Sequence, residues 1–267
     1  MHVEENTTQL GGSPVLYRSA PLDGAPLLYL HGVPTSSIDW LPFLERAGGL
    51  APDLIGFGRS GKGGHLDYTI DGLATFVEIL LEQLQVDTLR LVGHDWGAVV
   101  GLVLAQRRPD RIQRLVLINA PPLFEATGFP IGGLARLWRR PLIGELAMGA
   151  TNRWLLAREL RKGGPWSDEQ LDTVWNDFDQ GTQRAILRLY RSADPKTLGA
   201  IGARLDTLAM PTLVVWGEQD PWLPAELGST YAGRLPEATL VSLPKAGHWP
   251  WLDDPDAVDR VTAFLDP

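Results

Sequence analysis

Apolar stretches of strand length alternate with apolar positions at helical spacing along the first half of this chain. Residues 15 to 18 and 26 to 30 read as strands, the second being Pro26-Leu27-Leu28-Tyr29-Leu30 running into the turn His31-Gly32-Val33-Pro34. Thr35-Ser36-Ser37 supplies cap chemistry for a helix near 37 to 46, and residues 50 to 55 read as a short strand that leaves into a glycine-rich loop. Leu73, Phe76, Val77, Leu80, Leu81 and Leu84 recur at helical spacing in a segment opened by Thr69 or Asp71. Strand 88 to 93, helix 98 to 108 and strand 112 to 118 follow. This alternation predicts an α/β fold with a mostly parallel central sheet flanked by helices.

The pattern breaks at Asn119-Ala120-Pro121-Pro122. From there to about residue 205 the chain reads as helices and turns without a strand candidate, an inserted helical cap. Thr212 to Gly217 resumes the sheet, followed by a helix near 225 to 234, a strand 238 to 243 and a terminal helix 255 to 265. The expected organisation is a core formed by 1–120 and 206–267, with 121–205 as a lid over the carboxyl ends of the strands.

With 267 residues the chain can bury one good core, and its net charge of −8 gives no basic surface for nucleic acid or anionic lipid. There is no cysteine, which removes disulfides, thiolate metal sites and a cysteine nucleophile together. The start, Met1-His2-Val3-Glu4-Glu5-Asn6, is acidic, and no run approaches the roughly 20 apolar residues of a membrane span. A cytoplasmic, unprocessed protein without membrane or nucleic-acid partners is expected; oligomeric state is open.

Chemistry concentrates at Gly93-His94-Asp95-Trp96-Gly97, a glycine-flanked turn from strand to helix. Such a turn often presents a serine, and here it presents a carboxylate. An aspartate attacking an ester would give an anhydride, whereas at saturated carbon it displaces a leaving group and forms an alkyl ester that activated water can cleave. Epoxides and alkyl halides are the matching substrates. The competing reading makes Asp95 a cap for the helix that follows.

The second half-reaction needs a base. Among five histidines, His248 in Ala246-Gly247-His248-Trp249-Pro250 is best placed, in the loop after the last strand. Asp220, in Trp216-Gly217-Glu218-Gln219-Asp220-Pro221, lies just past a strand end and is the acid that would orient the histidine. Backbone amides of Trp96, directly after the nucleophile, and Val33, in the turn after an earlier strand, are the candidate oxyanion donors.

Those motifs, with Asp53-Leu54-Ile55-Gly56-Phe57-Gly58-Arg59-Ser60, resemble the α/β-hydrolase superfamily over nearly the whole chain. Within it the chain is similar to the aspartate-nucleophile branch of epoxide hydrolases and haloalkane dehalogenases, with the order nucleophile Asp95, acid Asp220, histidine His248. The resemblance implies an α/β-hydrolase fold. Epoxide hydrolases of this type hold the epoxide oxygen with cap tyrosines, and Tyr190, in Leu187-Arg188-Leu189-Tyr190-Arg191, matches one of them. Alternatively Tyr190 is a packed helix aromatic with its hydroxyl at the rim. Where the family places a second tyrosine, this chain has only Trp138 and Trp154. By the same resemblance His31, Trp96, Trp138 and Trp154 would line the substrate site. Haloalkane dehalogenases need two N–H donors for halide. Trp96 matches the first, while Val33 stands where one subgroup has an asparagine. Another subgroup uses a cap tryptophan with an acid after the later strand, a pattern Asp220 and the cap tryptophans satisfy. Epoxide opening by Asp95 is therefore the preferred reading and dehalogenation the alternative. A cofactor-free oxygenase and a non-catalytic ligand-binding protein on the same scaffold complete the set.

Gly56-Phe57-Gly58-Arg59-Ser60-Gly61 matches a dinucleotide fingerprint, but the helix begins near residue 70 rather than at the loop. No cofactor is implied, and no histidine spacing suggests a metal site. Asp253, Asp254 and Asp256 read as charges at the start of the last helix.

Overall fold

The computed structural model describes residues 1–22, 24–124 and 133–266. Its sheet has eight strands: β1 (Glu4–Leu10), β2 (Ser13–Ala20), β3 (Leu27–Leu30), β4 (Gly49–Pro52), β5 (Leu89–His94), β6 (Ile112–Ile118), β7 (Thr212–Gly217) and β8 (Ala238–Leu243), in spatial order β1-β2-β4-β3-β5-β6-β7-β8. The pairs from β4 to β8 run parallel, and β1 and β2 add antiparallel at one edge. The fold is an α/β-hydrolase fold. β3, β5 and β7 are buried along their whole length, which is why β3 and β7 read as nearly unbroken apolar runs, while β5 buries Arg90 and His94 among its apolar residues.

Three helices pack around the first half: α1 (Leu41–Ala47), after a single 3-10 turn at Ser37–Trp40, α2 (Ile70–Gln83) and α3 (Trp96–Arg107). Thr69 is the residue that opens α2, its hydroxyl accepting from the Gly72 amide at 3.0 Å. α3 is buried from Trp96 to Gln106, a helix hydrophobic on all sides because it lies against β3, β5 and α2. Between β6 and β7 come α4 (Gly133–Trp138), α5 (Ile143–Gly149), α6 (Arg153–Leu160), α7 (Asp168–Asp177), α8 (Gln180–Ser192) and α9 (Pro195–Gly202). Among the described residues this insertion contains no strand; part of the expected 121–205 cap, residues 125–132, lies outside them. α10 (Glu226–Arg234), α11 (Pro250–Asp253) and α12 (Asp256–Leu265) finish the chain.

One strand has no sequence signal and another ends earlier than expected. β1 has no apolar pattern, since Glu4, Glu5, Thr7 and Gln9 face solvent, and its place is set by the backbone ladder from Glu4–Ser19 to Leu10–Ser13. β4 ends at Pro52 instead of continuing to residue 55, because Asp53 turns its carboxylate to the Ser37 amide at 2.9 Å and the Arg59 amide at 2.8 Å. Both bonds pull the chain out of the sheet.

The switch point lies between β3 and β5, where the chain direction across the sheet reverses, and it leaves a crevice at the carboxyl ends of those strands. α3 starts so close to β3 that a Cβ on Gly97 would stand 2.2 Å from the Leu30 carbonyl oxygen and 2.5 Å from that of His31. Gly97→Ala should lower the unfolding free energy in urea by about 1–3 kcal/mol, the usual cost of overpacking. Gly149→Ala, whose Cβ meets nothing within 4 Å, should change it by less than about 1 kcal/mol.

Candidate active site

Strand register decides what meets what. Leu30 pairs with Gly93, His94 with Ile118, Ile118 with Val215, and Gly217 with Leu243. The segments that leave these strands therefore emerge side by side, carrying Val33, Asp95, Asn119, Asp220 and His248.

Asp95 sits at the junction of β5 and α3 with φ 49° and ψ −127°, a left-handed conformation rare outside glycine. Its carboxylate makes no side-chain cap bond to the helix, so capping does not explain it. Instead the Val33 amide donates to Oδ2 at 3.0 Å. The turn folds over the carboxylate closely enough that a Cβ on Gly32 would lie 2.6 Å from the Asp95 Cβ and 2.7 Å from Oδ2. Asp95 is buried, and that burial pushes its carboxyl up to about 6 against the opposing pull of the His248 charge and the Val33 and Trp96 amides; Asp220 adds to the rise.

His248 Nδ1 donates to Asp220 Oδ2 at 2.6 Å, which leaves Nε2 as the basic nitrogen. The Asp220 side chain is fully buried, yet its pKa falls below the ordinary carboxylate value. Burial pushes it upward. The His248 charge and hydrogen bond, the Trp222 and Leu223 amides on Oδ1 at 2.9 and 3.0 Å, and the Asn119 amide on Oδ2 at 2.7 Å outweigh that. For His248 burial acts downward, and Asp220, Asp95 and Asp39 together carry it above the usual histidine value. His94, wholly buried beneath it, donates from Nε2 to the His248 carbonyl at 2.8 Å and is driven well below the usual value, so it stays neutral. The loop is tied down twice more: the His248 amide donates to Gly163 of the insertion at 2.8 Å, and the Gly247 amide donates to Asp253 Oδ2 at 2.9 Å.

Tyr190 of α8 reaches down from the insertion. Its ring meets Trp96 edge-on at 5.2 Å and Trp138 at 5.1 Å. Burial and the neighbouring Asp95 charge push its hydroxyl up, with donation from the Trp96 indole partly offsetting them. The phenol therefore keeps its proton.

Two sequence expectations are corrected. His31 is fully buried and both ring nitrogens serve the backbone, Nδ1 donating to Gly32 O at 2.7 Å and Nε2 accepting from the Leu54 amide at 2.9 Å. With no polar atom left over, it braces the turn rather than lining a substrate site. Trp154 is 64 % exposed and lies beside the Arg158 guanidinium, so it does not join the cluster.

Three residues escaped sequence reading. Asn119, which looked only like a break in the pattern, uses Oδ1 to accept from the Gly217 amide at 2.9 Å while Nδ2 holds Asp220. Asp253 serves the histidine loop rather than the last helix alone. Asp39, 6 % exposed in the turn before α1, faces both His248 and Asp95 electrostatically. Asn119 had a signal in its position one residue past a buried strand; the other two had none. Among the described residues no group of three or more His, Asp or Glu side chains could hold a metal ion, and no helix is long and apolar enough to cross a membrane.

A family model for the alpha/beta hydrolase fold matches residues 25–255. The chain belongs to the α/β-hydrolase family. A haloalkane dehalogenase of Mesorhizobium japonicum is 30 % identical over 94 % of this chain and 87 % of its own length. Epoxide hydrolase 4 of Mus musculus is 27 % identical over 93 % of this chain and 75 % of its own length. Among solved structures, a loop variant of the haloalkane dehalogenase DbeA from Bradyrhizobium elkanii superposes with TM-score 0.83 at 25 % identity, covering 99 % of this chain and 96 % of that one. This α/β-hydrolase thus lies in the branch whose members carry both names, and it is a hydrolase.

Because Asp220 is a main source of the raised His248 value, Asp220→Asn should move the imidazole titration to lower pH by about one to three units, read from the histidine ring protons by NMR.

Proposed function

We propose that this protein is an epoxide hydrolase that opens a small hydrophobic epoxide to a vicinal diol through an alkyl ester on Asp95. The observation that carries the reading is Tyr190, a protonated phenol packed on Trp96 within the field of Asp95. Asp95 attacks an epoxide carbon, the C–O bond breaks, and the electron pair on oxygen takes the Tyr190 proton. His248 Nε2 then removes a proton from water, whose oxygen adds to the ester carbonyl carbon of Asp95 while the Val33 and Trp96 amides receive the developing oxyanion. Collapse expels the diol oxygen, which takes the proton back from His248. The second proton of that water leaves the regenerated carboxyl and restores Tyr190. Residues 121–205 act as the cap that brings Tyr190 over the nucleophile, with Trp138 lining the same space.

Electrostatics would time the two steps. In the free enzyme Asp95 helps hold His248 above its usual value. Esterification removes that charge, so the imidazole becomes easier to deprotonate when a base is needed.

Haloalkane dehalogenation is the second reading, favoured by the Mesorhizobium japonicum relative. Against it, Val33 offers no side-chain donor for a halide.

Intact mass of a His248→Gln variant separates the two after exposure to an epoxide panel and a haloalkane panel. An adduct equal to the whole epoxide is expected. An adduct equal to a haloalkane less hydrogen halide would replace the reading with dehalogenation, and Asp95→Ala should show neither. Tyr190→Phe should slow epoxide adduct formation by about 10²–10⁴-fold, the range for a lost general acid. Adduct formation in His248→Gln should also fall with decreasing pH as Asp95 takes up its proton, at a pH above the value of about 6 held in the unsubstituted protein, because the His248 charge that lowers Asp95 is gone.

A further inference from the structure

Thr35 and Asp39 lie directly behind the turn that holds the nucleophile. The Thr35 hydroxyl is 2.5 Å from Asp39 Oδ2 and 3.3 Å from the Gly32 carbonyl oxygen, and it has one hydrogen to give. That carbonyl and the Val33 amide are the two ends of one planar peptide unit. Its oxygen already accepts from His31, and its N–H donates to Asp95 Oδ2 at 3.0 Å.

We propose that Asp39 is a positioning residue: through the Thr35 hydroxyl, its protonation sets how strongly the Gly32–Val33 peptide donates to Asp95. When Asp39 is ionised, the charge-assisted bond claims the Thr35 hydrogen. When Asp39 is protonated, its own O–H donates to Thr35 Oγ1, and the hydroxyl hydrogen turns to the Gly32 oxygen. A bond into the carbonyl polarises the peptide and strengthens the N–H at its other end, by roughly 10–30 % on condensed-phase estimates. The nucleophile thus feels a carboxylate it does not touch.

Asp39 is placed to switch within the working range. Its burial pushes the carboxyl up to about 7 against the Thr35 bond, the Trp249 indole and the His248 charge, and the Asp95 charge adds to the rise. A cleft of about 50 Å³, room enough for water, is lined by Asp39 together with Trp166, Gln170 and Trp251 and offers a route for protons to this residue. The ionisable groups that face Asp39 are His248 and Asp95, and those around the peptide are Asp95 and His31.

The consequence for turnover rests on the proposed role of Asp95; the relay itself does not, and its test uses no substrate. In an Asp95→Asn protein, which removes the nucleophile's own titration, the Val33 amide resonance is followed by two-dimensional NMR between about pH 5 and pH 9, a span that brackets carboxyl and imidazole groups. A single inflection is expected somewhat below the value of about 7 that Asp39 has beside a charged Asp95, abolished by adding Asp39→Asn or Thr35→Val and retained with Thr35→Ser. Spectral dispersion checks folding, and if Thr35→Val does not fold, the contrast of Asp39→Asn with Thr35→Ser decides. An inflection that survives Asp39→Asn belongs to His248 and overturns the proposal. One that survives Thr35→Val is a through-space field and overturns the relay, as does a Val33 amide that does not titrate at all.

Discussion

The site depends on one backbone reversal. At Asp95 the chain passes from β5 into α3 through a left-handed conformation that costs a non-glycine residue about 1–3 kcal/mol. Packing maintains it. α3 is buried along nearly all its length, and the glycine at its second position lets it press against the end of β3. The same approach brings the Val33 amide onto the Asp95 carboxylate. A relaxed turn would move the side chain away from the strand ends and lose that contact.

Three aspartates share this small buried volume, and each has a different acidity for a reason visible in its donors. Asp220 accepts from His248, Asn119 and two backbone amides, and falls below the ordinary value despite complete burial. Asp95, facing the Val33 and Trp96 amides, rises to about 6. Asp39, buried with the Thr35 hydroxyl and the Trp249 indole as its donors and no backbone amide among them, rises to about 7. Donor supply, more than depth, sorts them into one fixed charge and two that can change.

The parallel core was legible because its strands are buried on both faces and its turns carry glycine and proline. β6, β7 and β8 begin and end at the residues their apolar runs mark. β1 was not legible, since an antiparallel edge strand needs only backbone partners and its side chains face water. At the site, Asp95, Asp220 and His248 stood out by residue type just past strand ends. Asn119 and Asp39 did not, because their importance comes from partners far along the chain or across a turn. His31 misled in the opposite sense: it stands beside the site in sequence but spends both nitrogens on the backbone. Trp154 is an exposed aromatic that composition alone cannot tell from a buried one.

The bond from the His248 amide to Gly163 has a mechanical meaning. Gly163 belongs to the connection between α6 and α7, and a Cβ on Gly247 would lie 2.4 Å from its carbonyl oxygen, so the two backbones are in direct contact. Trp222, which stacks edge-on against His248, is also joined to Glu159 of α6. This end of the helical insertion and the histidine loop are therefore joined through both backbone and side chain. Any displacement of the insertion at Gly163 would have to break the bond to the His248 amide, so the position of the imidazole is tied to the seating of the α6–α7 connection.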